Sequence, residues 1–184
     1  MSSIGMFSEN GKEYIIRKAE LKRPMVNYFW NRKILCAVNQ TGGGNGSYRG
    51  MTSQYIAEVG KPRALLLGNG NRYFYIKDMN TGKTFNPGWY PCKTDVKNYS
   101  CTHGLGYSII TSECDGVVAT ARVFVNSSDP AEIWTITLEN KSAEQKSLKL
   151  FSFAEFQLEG YQRYSDYNSY VYGEKDGNVI LCHN

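Results

Sequence analysis

Apolar and polar residues alternate with a period of two through much of this chain, and the spacing of an amphipathic helix hardly occurs. Val117, Ala119, Ala121, Val123 and Val125 fall on one side of an extended segment, with Thr120 and Arg122 on the other. In the next segment Trp134, Ile136 and Leu138 oppose Thr135 and Thr137. The aromatic run 72–77 predicts a further strand, followed by a turn at 78–82 and a short return at 83–85. Residues 147–156 predict a long strand with Leu148 and Leu150 opposed to Phe151 and Phe153. Asp115-Gly116, between the segments 106–114 and 117–125, is a strong hairpin signal. A last hairpin is expected from 170–172 and 179–181, turning through 175–178. Strands joined by Gly/Asn turns bury their apolar faces against another sheet. The prediction is an all-β fold, a large antiparallel β-sandwich, with residues 1–184 as one domain.

The alternation breaks between residues 39 and 71. Residues 41–50 are the most glycine-rich piece, and Gly68-Asn-Gly-Asn71 is a second cluster of breakers. Two readings of the first are open: a flexible or tight-turning surface loop, or a cradle holding phosphate through backbone N–H groups. No Gly-Lys-Ser/Thr follows, so it is not a Walker loop. Tyr48 and Arg49, placed at the loop tip, are candidates to reach a ligand or a neighbouring subunit. The chain closes on residues 180–184 straight after a predicted strand, which leaves an exposed edge. The expectation is a sandwich incomplete at its C-terminus, part of a larger protein.

Composition narrows the classes. A length of 184 residues, 41% hydrophobic and 21% charged, suits one soluble domain with a real core. Its 14 Tyr against 8 Phe suit half-buried strands and also surfaces that stack on sugar rings or partner proteins. The net charge of +4 is dispersed: Lys12, Arg17, Lys18, Lys22 and Arg23 interleave with Glu13 and Glu20, which speaks against a nucleic-acid partner. No apolar run approaches the roughly 20 residues that span a bilayer. Residues 1–7 lack the regions of a signal peptide, so no membrane association is expected. Cys36, Cys92, Cys101, Cys114 and Cys182 form no CxxC pair and have only His103 and His183 beside them. That pattern predicts no metal site, and reduced thiols in a cytoplasmic protein.

Candidate chemistry is sparse. Trp30, Trp89 and Trp134 are the stacking candidates for sugars. Trp134 alternates into the core pattern, whereas Trp89, flanked by Pro87, Gly88 and Pro91, is the best exposed platform. Cys101 and His103 share a strand face, a spacing that carries almost no catalytic signal. A glycosidase acid–base pair would have to come from carboxylates such as Asp95, Asp115, Glu132 and Glu155, and nothing singles out two of them. No catalytic residue is assigned.

Glu13-Tyr-Ile-Ile16 with Arg23-Pro24 and Asn27-Tyr28, Asn39-Gln-Thr-Gly-Gly-Gly44, Arg72–Ile76 with Pro87-Gly-Trp89, Tyr99–Tyr107, and Ala131–Trp134 with Leu150–Glu155 occur in this order. Together they resemble the start of family 94 glycoside hydrolases, the cellobiose, chitobiose and laminaribiose phosphorylases. The resemblance implies the N-terminal domain of a larger enzyme, a β-sandwich of the galactose-mutarotase supersandwich type. A helical linker, an (α/α)6 catalytic barrel and a small sheet domain would follow. In that family phosphate attacks the anomeric carbon of a β-linked disaccharide with inversion, yielding an α-sugar 1-phosphate and a free sugar. The Asp that protonates the leaving oxygen belongs to the barrel, so this chain lacks it. The resemblance implies inorganic phosphate as co-substrate with no cofactor, and a homodimer in which sandwich loops reach toward the acceptor sugar. It places Tyr48 and Arg49 in such a loop. After the glycines the family often has Tyr-Ser-Phe-Tyr where this chain has Asn-Gly-Ser-Tyr48. A rival reading is a non-catalytic carbohydrate-binding or dimerisation module that uses Trp89, Tyr90 and Tyr48.

Overall fold

A computed structural model describes residues 4–49, 55–59, 72–154, 156–157 and 172–183. Every regular element among them is a strand. The first half contributes β1 (Gly5–Phe7), β2 (Glu13–Ile16), β3 (Val26–Trp30), β4 (Ile34–Asn39), β5 (Gly44–Arg49) and β6 (Tyr55–Val59). Then come β7 (Arg72–Asp78), β8 (Thr84–Phe85), β9 (Lys97–Gly104), β10 (Tyr107–Cys114), β11 (Val117–Val125) and β12 (Glu132–Asn140). The last are β13 (Leu148–Ala154), β14 (Phe156–Gln157), β15 (Tyr172–Asp176) and β16 (Val179–His183).

A six-stranded sheet runs β1-β2-β9-β10-β11-β12, a five-stranded sheet β14-β6-β5-β4-β3, and a three-stranded sheet β13-β7-β8, with β15-β16 as a separate ribbon. All recorded pairings are antiparallel. The six-stranded sheet offers one face to both of the larger partners. Ile16, Cys101, Ile110 and Val123 meet Phe29, Cys36 and Val38 of the five-stranded sheet. Cys114, Val117 and Ala119 meet Ile76 and Phe85 of the three-stranded one. Burying each of the larger aliphatic side chains contributes roughly 1.5–3 kcal/mol, so this double seam defines the sandwich.

The central hairpin forms as predicted: Cys114 pairs with Val117, and Asp115 and Gly116 both take left-handed φ, 48° and 77°. The 78–82 turn is organised by Asp78, whose Oδ1 accepts the N–H of Asn80 at 2.8 Å and of Thr81 at 3.3 Å. These backbone donors, the Asn80 N–H first, with Lys146 behind them, lower its pKa. Two expectations shift. The run 147–156 pairs first with β7 and then, through Phe156, with β6, so it joins two sheets rather than forming one strand. The last hairpin lies further along, with Tyr172 opposite His183 and Asp176 opposite Val179. The breaker cluster Gly68–Asn71, Tyr170 and Glu155 lie outside the described residues.

Candidate functional site

Residues 39–43, which join β4 to β5, form a buried turn. Asn39 Oδ1 accepts both the N–H and the hydroxyl of Thr41 at 2.8 Å, and Gly42 N–H donates to the Asn39 carbonyl at 3.0 Å. Gln40 reaches outward in two directions: Nε2 donates to the Ala19 carbonyl and Oε1 accepts from the Met25 N–H, both at 2.9 Å. The Tyr99 hydroxyl donates to the Gln40 carbonyl. With the Thr41 and Gly42 amides bonded to Asn39 and the side chains buried, the turn is neither a surface loop nor an anion cradle.

The loop 86–93 closes over this turn. Gly88 has no Cβ, and one built there would fall inside the contact radius of the Thr41 carbonyl oxygen. The two motifs singled out in the sequence therefore meet backbone to backbone. Between them and Trp134 remains a cavity of about 10 Å³, too small for a sugar. Trp89 follows at φ 74°, a conformation that costs a bulky residue about 1–3 kcal/mol. Its carbonyl accepts the Lys93 N–H at 2.6 Å. The ring is partly buried, so Trp89 is less open than its neighbours in sequence suggest. Beside it the Tyr90 ring lies 6.0 Å from the Tyr73 ring, with Lys93 Nζ 6.0 Å from the Tyr90 centroid.

A buried ion pair sits where the three large sheets meet. Arg72 opens β7, and its Nε donates to Glu132 Oε1 of β12 at 2.5 Å, with side-chain exposures of 6% and 11%. The same oxygen accepts Trp134 Nε1–H at 2.5 Å, and the guanidinium lies 5.3 Å from the Trp134 ring centroid. Arg72 Nη2 donates to the Ala37 carbonyl at 3.1 Å and to Cys36 Sγ at 3.4 Å, both on β4. Glu132 Oε2 occupies the space a Cβ on Gly46 of β5 would take. Burial, and then Glu132, push the Cys36 thiol far up, so it is inert at neutral pH. Beside the pair opens a groove of about 890 Å³ lined by Phe74, Trp134, Phe153, Ile180 and Leu181 among others. Among the described candidate carboxylates, Glu132 is the one on it.

His103 serves a buried clip. Asn27 Nδ2 donates to Gly104 O at 2.9 Å, Tyr107 O at 2.8 Å and Ser108 Oγ at 3.2 Å. Ser108 Oγ lies 2.9 Å from His103 Nδ1, and Nε2 lies 3.2 Å from the Met25 carbonyl. The network assigns a neutral imidazole that accepts from Ser108 and donates to Met25. Burial lowers the His103 pKa below its usual 6.5. As pH falls below 6.5 the unfolded chain takes up the proton first, so stability is lost from there down to the folded pKa. A His103→Gln variant keeps a donor and an acceptor without titrating. Between pH 7 and pH 5 the wild type should lose melting temperature more steeply than H103Q; parallel curves would place the pH dependence elsewhere.

Of the other named groups, Asp115 pairs with Lys83 at 3.0 Å on the surface and Asp95 is exposed in the loop before β9. Trp134 is half-buried and packs on Phe74 at 5.5 Å, close to its expected core role. Tyr48 and Arg49 lie in β5 rather than at a loop tip; their backbones pair with Ala57 and Tyr55 across a register shift. They stand four and five residues beyond Gly44, roughly 14–17 Å along the strand from the turn that holds Gly88. Among the described residues no cluster of His, Cys, Asp or Glu is arranged to hold a metal, and no helix is long and apolar enough to cross a membrane. All five cysteines are free.

The fold and these contacts define an antiparallel supersandwich in which the buried polar groups serve the architecture. The chain belongs to the family described as "Glycosyl hydrolase 94, supersandwich domain", which matches residues 12–184. It is 50% identical over its whole length to solabiose phosphorylase of Paenibacillus borealis, covering 24% of that protein. It is 34% identical over 80% of its length to a 3-O-β-D-glucopyranosyl-β-D-glucuronide phosphorylase of the same organism, covering 18% of it. To N,N'-diacetylchitobiose phosphorylase of Vibrio furnissii it is 27% identical over 83% of its length, covering 19%. The chain thus spans about a quarter or less of the length of these curated relatives.

Proposed function

We infer that this chain is the N-terminal sandwich domain of an inverting disaccharide phosphorylase, working in the cytoplasm as a homodimer. The observation that carries the reading is the 50% identity to solabiose phosphorylase along the entire chain. In the reaction a phosphate oxygen bonds to the anomeric carbon of a β-linked disaccharide as the glycosidic C–O bond breaks. The leaving oxygen takes a proton from an Asp of a separate barrel domain, giving an α-sugar 1-phosphate and a free sugar. Phosphate is the co-substrate, and no cofactor takes part.

The sandwich supplies support. Of the described candidate carboxylates Asp95, Asp115 and Glu132, Glu132 is the one withdrawn from the surface, and it is tied to Arg72. Leu150, Phe151 and Phe153 on β13 and Val179, Ile180 and Leu181 on β16 are exposed on both sides of their strands, apolar surface suited to the barrel domain. We assign Tyr48, Arg49 and Trp89 to substrate binding, with Tyr48 and Arg49 on the acceptor side. The left-handed φ of Trp89 supports its place there, because strain of this kind persists where function holds it.

The full-length protein, given β-linked disaccharides, should release sugar 1-phosphate only when inorganic phosphate is present. Sugar release without phosphate would replace this reading with hydrolysis. Trp89→Ala should raise the acceptor KM by about tenfold, a loss of 1.4 kcal/mol, and lower stability by less. Matching losses of acceptor affinity and stability would reduce Trp89 to a packing residue.

A further inference from the structure

One exposed aromatic pair takes no part in the sandwich seams or in the acceptor assignment. On β3, at the edge of the five-stranded sheet, Phe29 is buried in the core while its neighbours Tyr28 and Trp30 point the other way. Tyr28 is 51% exposed and Trp30 69%. Two residues apart on one strand, the rings stand roughly 7 Å from each other along the sheet. They border a surface groove of about 560 Å³ whose remaining wall includes Arg32, Lys33 and Leu35.

This ledge is held rigidly. Asn31, between the aromatic strand and the two cations, has both ends of its side chain engaged. Its Oδ1 accepts the N–H of Lys33 at 2.7 Å and of Ile34 at 2.9 Å. Its Nδ2 donates to the carbonyls of Asn126 at 2.7 Å and Asp129 at 2.8 Å. The 31–34 turn is thereby fastened to the loop after β11, and little ordering cost remains for a ligand to meet. Arg32 and Lys33 are exposed and form no ion pair with any described residue.

We propose that Tyr28, Trp30, Arg32 and Lys33 form a second, non-catalytic saccharide site whose ligand is an acidic β-linked oligosaccharide. Flat aromatic faces match the C–H faces of pyranose rings, and a guanidinium beside an ammonium matches a uronate carboxylate. Charge complementarity favours an acidic glycan over a neutral one, because two cations with no ion pair to a described residue gain most from a carboxylate. A nucleic acid is disfavoured, since the chain's +4 charge is dispersed and no basic stripe extends from the groove. The proposal stands whether or not the parent enzyme is a phosphorylase.

The test is calorimetric titration of the full-length protein with a C6-oxidised cello-oligosaccharide (a cellouronate tetramer), with neutral cellotetraose in parallel. The cellouronate should bind more tightly than cellotetraose, and 0.5 M NaCl should weaken it by about tenfold. Trp30→Ala should weaken it by about tenfold or more, with Trp30→Phe retaining most of the binding. The Arg32→Ala/Lys33→Ala double variant should bind both sugars alike. Unchanged cellouronate binding by W30A would overturn the site, as would equal binding of the two sugars by the wild type. Light scattering on the same W30A sample supplies another check: dissociation of an oligomer would make the ledge an interface between copies and sink the proposal. Tighter binding of a single-stranded oligonucleotide than of cellouronate would do the same.

Discussion

Glu132→Ala is expected to destabilise the protein by about 3–5 kcal/mol, the cost of leaving a buried guanidinium without its anion. Arg72 has little access to water: its side chain is 6% exposed and faces β4, β12 and Trp134. The loss also spreads, because the pair touches the six-, five- and three-stranded sheets together. Glu132 holds Trp134 through its indole N–H, and Arg72 holds the Ala37 carbonyl. The pair is nevertheless poorly satisfied: Arg72 Nη1 and Glu132 Oε2 find no hydrogen-bond partner among the described residues. A half-satisfied buried pair is the kind that apolar residues replace without loss. The Arg72→Met/Glu132→Met double variant should therefore recover most of the stability lost by Glu132→Ala in urea denaturation followed by tryptophan fluorescence. If the double variant is as unstable as the single, the pair is worth more than its desolvation, and the argument from buried charge fails.

That pair was half-legible in the sequence. Arg72 falls in phase with Phe74 and Ile76, and Glu132 in phase with Trp134 and Ile136, so each is a charge on an apolar face that demands a partner. What sequence lacked was the packing of one sheet against another, which brings side chains 60 residues apart together. The strands that announced themselves did so through clean alternation and the Asp115-Gly116 turn. Those that stayed silent have physical reasons. In β4, Ile34–Asn39 is mostly buried on both faces, so no polar face marks a period. In β5, two glycines carry no side chain to alternate. In β3 the alternation is inverted: Asn27 points inward to carbonyls of β9 and β10, and Trp30 points outward. In β9 the inward positions are Cys101 and His103, the latter polar, and the register slips opposite Ser112. The glycine-rich turn misled for the opposite reason. Composition suggested exposure, whereas Gly42 and Gly44 serve a packed turn. Glu13–Ile16 and Asn27-Tyr28, which carry the family resemblance without any strand being predicted for them, lie in β2 and β3.

Gly88→Ala should be the second most damaging change, at about 2–3 kcal/mol, because the added methyl has nowhere to go. A Cβ there meets the Thr41 carbonyl and the Gly42 amide, which are backbone and cannot rotate aside. The turn beneath is locked by Asn39, by Gln40 and by the Tyr99 hydroxyl. The loop above is held by Asn86, whose Nδ2 donates to the Tyr90 carbonyl. One of the two has to lift, and Trp89 sits next to the hinge of that movement. Gly82→Ala is the matched control: Gly82 takes φ 74° but a Cβ there meets nothing within 4 Å. Its loss is only the conformational strain, about 1 kcal/mol. At roughly 2–4 °C per kcal/mol for a domain of this size, G88A should melt several degrees below G82A. In the full-length enzyme it should also raise the acceptor KM, because displacing the 86–93 loop moves Trp89, while G82A leaves that loop untouched. Equal melting of the two variants would show that the loop and turn part without cost. A large drop in melting with an unchanged acceptor KM would separate the packing of Gly88 from the placement of Trp89.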